Sequence, residues 1–348
     1  MKKLSILIPT YNRKDRLKKT FHEIISNQSN EIEFIIIDNN SNDGTEEYIK
    51  NYSINDNRIK YYKNYTNLGP NRTLYRGLLE SSGEWITIFP DDDYIPREFI
   101  DELLVEIERY SDCGLIITSK NKQKPLFPRT TKVSGIEALK TAYLHSSTIT
   151  GISWNKKHIN EPGWLLDGNI YPQVRVSCEI AINNDLVYFV PNNQPKILNW
   201  DEDKLFSLSR PKDFGFFELI NLLDELKYKN YLKESDKVYF LCSASRFAWI
   251  SNVFIEMLDE SEEMAKEFFK TLVSHTSIRS SVLFWLIFIN NYYKSKANIG
   301  SGIFLSKYLF IGIFKSIFNK NLYLSSIFLI KNSHSLRNKY KTTLSNET

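Results

Sequence analysis

The chain has 348 residues, 42% hydrophobic and 25% charged, enough to bury a large core and too apolar for a disordered chain. Cys113, Cys178 and Cys242 are scattered without CxxC spacing, which argues against a disulfide scaffold or a zinc knuckle and favours a reducing compartment. The net charge of +4 is uneven: residues 271–348 hold ten Lys/Arg against one acid, Glu347, so the preceding 270 residues carry a net −5.

The opening MKKLSILIPTYNRKDR has too short an apolar run for a signal peptide, and no 18-residue uncharged apolar stretch predicts a spanning helix. Residues 4–8 read as a strand ended by Pro9, and residues 14–26 as a helix with Leu17, Phe21, Ile24 and Ile25 on one side. A β-branched run at 34–37 stops at Asp38, a helix fits 44–52 and a third strand fits 58–62. Residues 72–81 read as a helix closed by Gly83, and 85–89 as a strand stopped by Pro90 and three aspartates. A helix over 96–110 with proline in its first turn and a strand over 114–118 complete this half. The alternation predicts an α/β fold, a mostly parallel sheet with helices on both faces. Beyond it the pattern loosens: 135–145 is helical, 154–171 is rich in aromatics, and 174–191 reads as helix then strand. Helical spacing returns over 213–275, and a basic aromatic tail begins near residue 280.

Three strands end in polar sequence: Pro9-Thr10-Tyr11-Asn12-Arg13, Asp38-Asn39-Asn40-Ser41-Asn42-Asp43 and Asp91-Asp92-Asp93. In open sheets ligands lie outside the carboxyl ends of the strands, so these groups converge on one crevice. Adjacent carboxylates repel, and Mg²⁺ or Mn²⁺ bridging them to phosphate oxygens relieves the repulsion. Asp93 is also placed to cap the helix beginning near Pro96. Neither GxGxxG nor GxxxxGK[ST] occurs, which argues against a dinucleotide oxidoreductase or a P-loop enzyme.

The ordered motifs SILIPTYNR, IIIDNNSNDGT, NLGPNRTLYRGLLESSGEW and ITIFPDDDYIP resemble glycosyltransferase family 2, strongly over residues 3–120 and weakly over 120–200. The resemblance implies the nucleotide-diphospho-sugar transferase (GT-A) fold, a Rossmann-like sheet. It implies a GT-A domain over 1–205, with a nucleotide-binding half (1–120) and an acceptor half (120–205), followed by a helical region over 206–348. It places Pro9, Thr10, Tyr11 and Arg13 beside the nucleoside, with Tyr11 against the base. It pairs Asp38 and Asn39 with base and ribose, and Asn67, Gly69 and Arg72 with the diphosphate or sugar. Asp91 would face the ribose, and Asp92 or Asp93 the Mn²⁺ or Mg²⁺ ion. Pro90 stands where the family carries a further acid, which leaves the metal ligand open between neighbours.

An inverting transferase needs a carboxylate base for the acceptor hydroxyl. The family's acidic pair falls on Pro172-Gln173 here, so Asp167 is the candidate base, equally readable as a turn acid beside Gly168, and Glu179 is the second choice. The stretch from Gly168 to Gln173 resembles the subset that decorates O-antigen or capsule chains. Trp154, Trp164 and Tyr171 are read either as an acceptor-binding aromatic platform or as packing. The tail interleaves Phe304, Tyr308, Phe310, Phe314 and Phe318 with Lys307, Lys315 and Lys320, which suits an anionic membrane surface, a helical bundle or a dimer face. The expectation is therefore a metal-dependent glycosyltransferase using a nucleoside-diphosphate sugar and a surface-polysaccharide or lipid-linked acceptor. Its expected location is cytoplasmic, peripheral on the inner face of the membrane, with no nucleic-acid partner. A non-catalytic nucleotide- or glycan-binding partner in an assembly complex is the alternative, and a nucleotidyltransferase ranks third.

Overall fold

Isoleucine, leucine and aromatic residues fill both faces of β1 (Leu4–Thr10), β2 (Ile32–Asp38) and β4 (Trp85–Ile88), and nearly every position in them is buried. Strands with no polar face have to lie between two layers. In the computed structural model, which describes residues 2–120, 125–159, 171–197, 216–233 and 236, they do. β1 pairs in parallel with both β2 and β4, and β2 with β3 (Ile59–Lys63). One face of the sheet carries Ile6, Ile8, Phe34 and Ile36 against α1 (Lys14–Ile25) and α4 (Arg97–Arg109), through Leu17, Phe21, Phe99 and Leu103. α2 (Thr45–Ser53) packs beside β3 on this same face, where Ile49 joins the cluster and Tyr48 and Tyr52 meet the Phe21 ring. On the other face α3 (Gly69–Glu80) lays Gly77 against Leu7 and Ile37.

Gly83 has a role other than the expected helix-terminating one. The helix ends in an extended Ser81, and the Gly83 N–H donates to Ser5 Oγ at 2.8 Å. A Cβ at Gly83 would meet the backbone nitrogen of Ser5 at 2.6 Å, so the requirement is close approach of two backbones.

The second half of the sheet departs further from the sequence reading. β7 (Ile152–Asn155) inserts antiparallel between β4 and β5 (Leu115–Thr118). β8 (Leu186–Phe189) runs parallel to β5, and the three-residue β6 (Thr131–Val133) closes the edge, giving the order β3-β2-β1-β4-β7-β5-β8-β6. The sheet is thus mixed, with a mostly parallel half. Neither β6 nor β7 is visible as a separate apolar run, because each is too short to show a period. Trp154 belongs to β7 and is fully buried, with its indole N–H donating to Ser177 Oγ at 3.0 Å. It is a core residue and no part of an acceptor platform. α5 (Gly135–His145) and α6 (Pro172–Asn183) pack on each other over this half.

The chain divides into two compact units, Met1–Lys204 and Leu205–Thr348. In the second, α7 (Phe216–Tyr228) is described, with Leu219, Leu222, Leu223 and Leu226 buried. The basic aromatic tail lies outside the described residues. Among those described, no helix is long and apolar enough to cross a membrane.

Candidate functional site

Sequence order reverses across β1: β2 and β3 lie on one side of it and β4 on the other. This is the switch point at which open α/β sheets form a crevice. The register pairs Thr10 with Asp38 and Leu7 with Ile88, so residues 9–13, 38–43 and 90–93 emerge along one edge.

Between β1 and β4 the polar groups form a tight cluster. Thr10 Oγ1 donates to Asp91 Oδ2 at 2.7 Å, and Arg13 Nη1 bridges Asp91 Oδ1 at 3.3 Å and Asp92 Oδ2 at 3.1 Å. Burial pushes the Asp91 carboxyl up to about 6, with Asp92 adding to the rise, while Thr10 and Arg13 pull the other way. Asp92 is the more accessible acid, with its side chain 21% exposed, and Arg16 Nη1 stands 3.9 Å from it. Asp93 turns inward: its carboxylate accepts from Thr150 Oγ1 and its carbonyl from Thr20 Oγ1. Tyr11 is 44% exposed beside the cluster, so its ring is open to stacking and is not spent on the core. Pro9 is half-buried within β1.

Between β1 and β2 the loops are laced together. Asn12 adopts a left-handed backbone (φ 51°); its N–H donates to Ser41 Oγ at 2.9 Å and its Oδ1 accepts from the Asn42 N–H at 2.9 Å. Asp38 is wholly buried, one oxygen accepting from the Ser41 N–H at 2.7 Å and the other from the Tyr61 hydroxyl at 2.6 Å. Burial and the Asp38 charge hold the Tyr61 phenol far above its ordinary range, so it remains a donor. Asn39 reaches sideways to the loop before α3, where its side chain contacts Asn64, Asn67 and Leu68. Gly69 opens α3 with φ +76°, and Arg72 lies exposed in its first turn. A helix N-terminus presents unpaired N–H groups, which favours anions there.

Beyond β4 lies a group that sequence reading missed. Lys120, just past the end of β5, is only 3% exposed and donates to the Thr148 carbonyl at 2.7 Å. Burial pushes its ammonium down to about 7, against the pull of the Asp93 charge. Gln173 is buried at the start of α6 and donates to the neighbouring Ser147 carbonyl at 2.9 Å. Only the position of Lys120 after a strand end hinted at a role, since lysines at turns are mostly solvated. Tyr171 is half-buried at the N-cap of α6, and Glu179 pairs with Arg175 at 3.5 Å. Trp164 and Asp167 lie outside the described residues.

Among the described residues no cluster of three acidic, histidine or cysteine side chains forms a closed metal cage. The Asp91–Asp92 pair instead suits a hard cation that takes one or two carboxylates and completes its shell with phosphate oxygens and water. The Arg13 guanidinium, set between both carboxylates, marks where positive charge is favoured.

A sequence model described as glycosyl transferase family 2 matches residues 5–163, which contain this whole edge. That segment is a family 2 glycosyltransferase domain. Over 94 residues it is 39% identical to the GalNAc(5)-diNAcBac-PP-undecaprenol beta-1,3-glucosyltransferase of Campylobacter jejuni, covering 27% of this chain and 30% of that protein. Over 119 residues it is 36% identical to the abequosyltransferase RfbV of Salmonella typhimurium, covering 32% of this chain and 34% of that one. The chain thus aligns with about a third of the length of these curated relatives. The solved structure of S. aureus TarS 1-349 in complex with UDP-GlcNAc shares the fold at a TM-score of 0.65 and 17% identity, covering 89% of this chain and 90% of that one. The GT-A-like architecture of the family 2 domain is thereby established.

Proposed function

We propose that the protein is a glycosyltransferase that moves a sugar from a nucleoside-diphosphate sugar to a bacterial surface glycan or lipid-linked glycan. The observation that carries this reading is the Thr10–Asp91–Arg13–Asp92 cluster at the switch point, beside an open Tyr11 face. Tyr11 stacks on the base, Asp38 shapes the ribose side through Ser41, and Asp91 faces the ribose. Asn67, Gly69 and Arg72 bring the start of α3 to the diphosphate. Asp92, with Asp91 beside it, would hold Mn²⁺ or Mg²⁺, which as a Lewis acid offsets charge on the departing diphosphate. Arg13 steadies both carboxylates when the donor is absent.

Transfer with inversion requires a base on the face opposite the leaving group, and Asp167 is the candidate for taking the acceptor proton. Trp164 and Tyr171 line the acceptor side in this reading. Titration calorimetry with UDP, GDP, CDP and dTDP, with and without Mn²⁺, tests it. Binding of at least one diphosphate, strengthened by Mn²⁺ and weakened more than tenfold in Asp92→Ala, is expected. Absence of all binding, or an Asp92→Ala variant that binds as the wild type does, rejects the assignment.

A non-catalytic partner is the second reading, favoured by Gln173. That residue holds a position where the family carries an acid, and its amide is tied to Ser147. Donor binding without release of nucleoside diphosphate on any lipid-linked acceptor would select it.

A further inference from the structure

Asn39 stands where a base-reading acid is expected, yet its amide is occupied inside the protein. Its Oδ1 accepts from the Leu68 N–H at 2.8 Å and from Asn64 Nδ2 at 3.0 Å, which uses both lone pairs. Its Nδ2 donates to Asn67 Oδ1 at 2.6 Å, and that oxygen also accepts from the Gly69 N–H at 2.9 Å. The two backbone donors, Leu68 and Gly69, fix which end of each amide is oxygen. Only 6% of Asn39 is exposed.

The same contacts reach into α3. Buried Asn64 takes Arg76 Nη1 on its Oδ1 at 2.7 Å and lies 3.2 Å from Thr73 Oγ1, while Thr73 Oγ1 donates to the Gly69 carbonyl at 2.7 Å. Gly69 turns through a positive φ at the point where loop becomes helix. A Cβ at Gly69 would meet open space, so nothing wedges this bend from that side, and the hydrogen bond to Asn67 is what ties it to its neighbours. An aspartate at position 39 would set a second acceptor against Asn67 Oδ1, so this network requires the amide.

We propose that Asn39 is a positioning residue: with Asn64 and Asn67 it latches the loop over residues 64–69 to the end of β2. The latch presents the first turn of α3 to a diphosphate irrespective of the base attached to it. Discrimination between bases is then left to the exposed Tyr11 face and its loop. The consequence for ligand binding rests on the donor-site reading above, whereas the latch itself does not.

The test uses the full chain and the variants Asn39→Ala and Asn67→Ala, the second at an exposed position that leaves the core untouched. Amide hydrogen exchange is followed at Leu68 and Gly69, and affinities for UDP, CDP, GDP and dTDP are measured with Mn²⁺. Both variants should speed exchange across 64–69 while the β1 and β2 amides keep their protection, which a general loss of stability would not do. Both should weaken every diphosphate that binds by a similar factor, about tenfold, without reordering the bases, and the double variant should lose little more than either single one. A reordered base preference in Asn39→Ala, additive losses, or unchanged exchange at Leu68 overturns the latch. If the wild type binds none of the four diphosphates, the donor-site reading falls and the exchange data still decide the latch.

Discussion

At the residue scale, the sharpest electrostatic tension lies at Lys120, an ammonium enclosed by protein with Thr148 as hydrogen-bond acceptor and Asp93 as nearby counter-charge. Its folded pKa, about 7, lies below the 10.5 of a free lysine. The unfolded chain therefore binds more protons between these values, and the wild type gains stability as pH rises through that window. Replacing the group by Lys120→Met removes the dependence. Denaturant unfolding at pH 6.5 and pH 10 should show the variant gaining relative to the wild type at the lower pH, by on the order of 4 kcal/mol across the window. An equal difference at both pH values would rule this out. Trp154→Phe isolates a different energy: it keeps most of the apolar volume but leaves the buried Ser177 hydroxyl without its donor. A loss of about 1–3 kcal/mol in urea unfolding is expected.

At the scale of elements, two glycines separate backbone contact from side-chain contact. At Gly83 the added methyl of an alanine meets the Ser5 backbone nitrogen at 2.6 Å, and neither strand nor turn can retreat without breaking the β1–β4 pairing. At Gly77 it meets Ile37 Cγ1 at 3.2 Å and Leu7 Cδ1 at 3.3 Å, side-chain atoms that need to give by only a few tenths of an ångström. Gly83→Ala should therefore cost about 3 kcal/mol or more and Gly77→Ala about 1 kcal/mol, read from chemical denaturation midpoints. The order matters because β1 and β4 carry Thr10 and Asp91 on their carboxyl ends. A shift of one strand relative to the other opens that 2.7 Å hydrogen bond, and donor affinity should fall in Gly83→Ala even in the folded fraction.

At the scale of the molecule, charge is segregated: an acidic body precedes a tail whose lysines alternate with phenylalanine and tyrosine. We propose that this segment meets anionic lipid: its composition suits both apolar burial and attraction to charge, and the charged part would be screened by salt. Attachment at the inner membrane face would bring the donor site to lipid-linked acceptors. Flotation with vesicles containing anionic phospholipid should recover the full chain at low salt, less of it at 0.5 M salt, and little of a chain ending at residue 280. Equal recovery of the truncated chain would place the contact elsewhere.

The apolar runs of β1, β2 and β4, the helices between them, and the acidic and amide residues at the strand ends were legible in the sequence. Burial on both faces imposes local, contiguous apolarity, and polar residues resume where the strand leaves the core. From those local signals the carboxyl-edge crevice followed, and the ordered motifs carried the family. Tertiary structure alone decided how residues far apart in sequence meet. β7 enters antiparallel between β4 and β5, and so takes Trp154 into the core. Asn39 closes on Asn67, 28 residues away, and Asp93 turns in toward Thr150. Lysine at 120 reads as an ordinary surface residue until the fold buries it and brings the Thr148 carbonyl to its ammonium. Periodicity records whether a residue is buried, whereas the identity of its partner depends on strand order and register, which no local window contains.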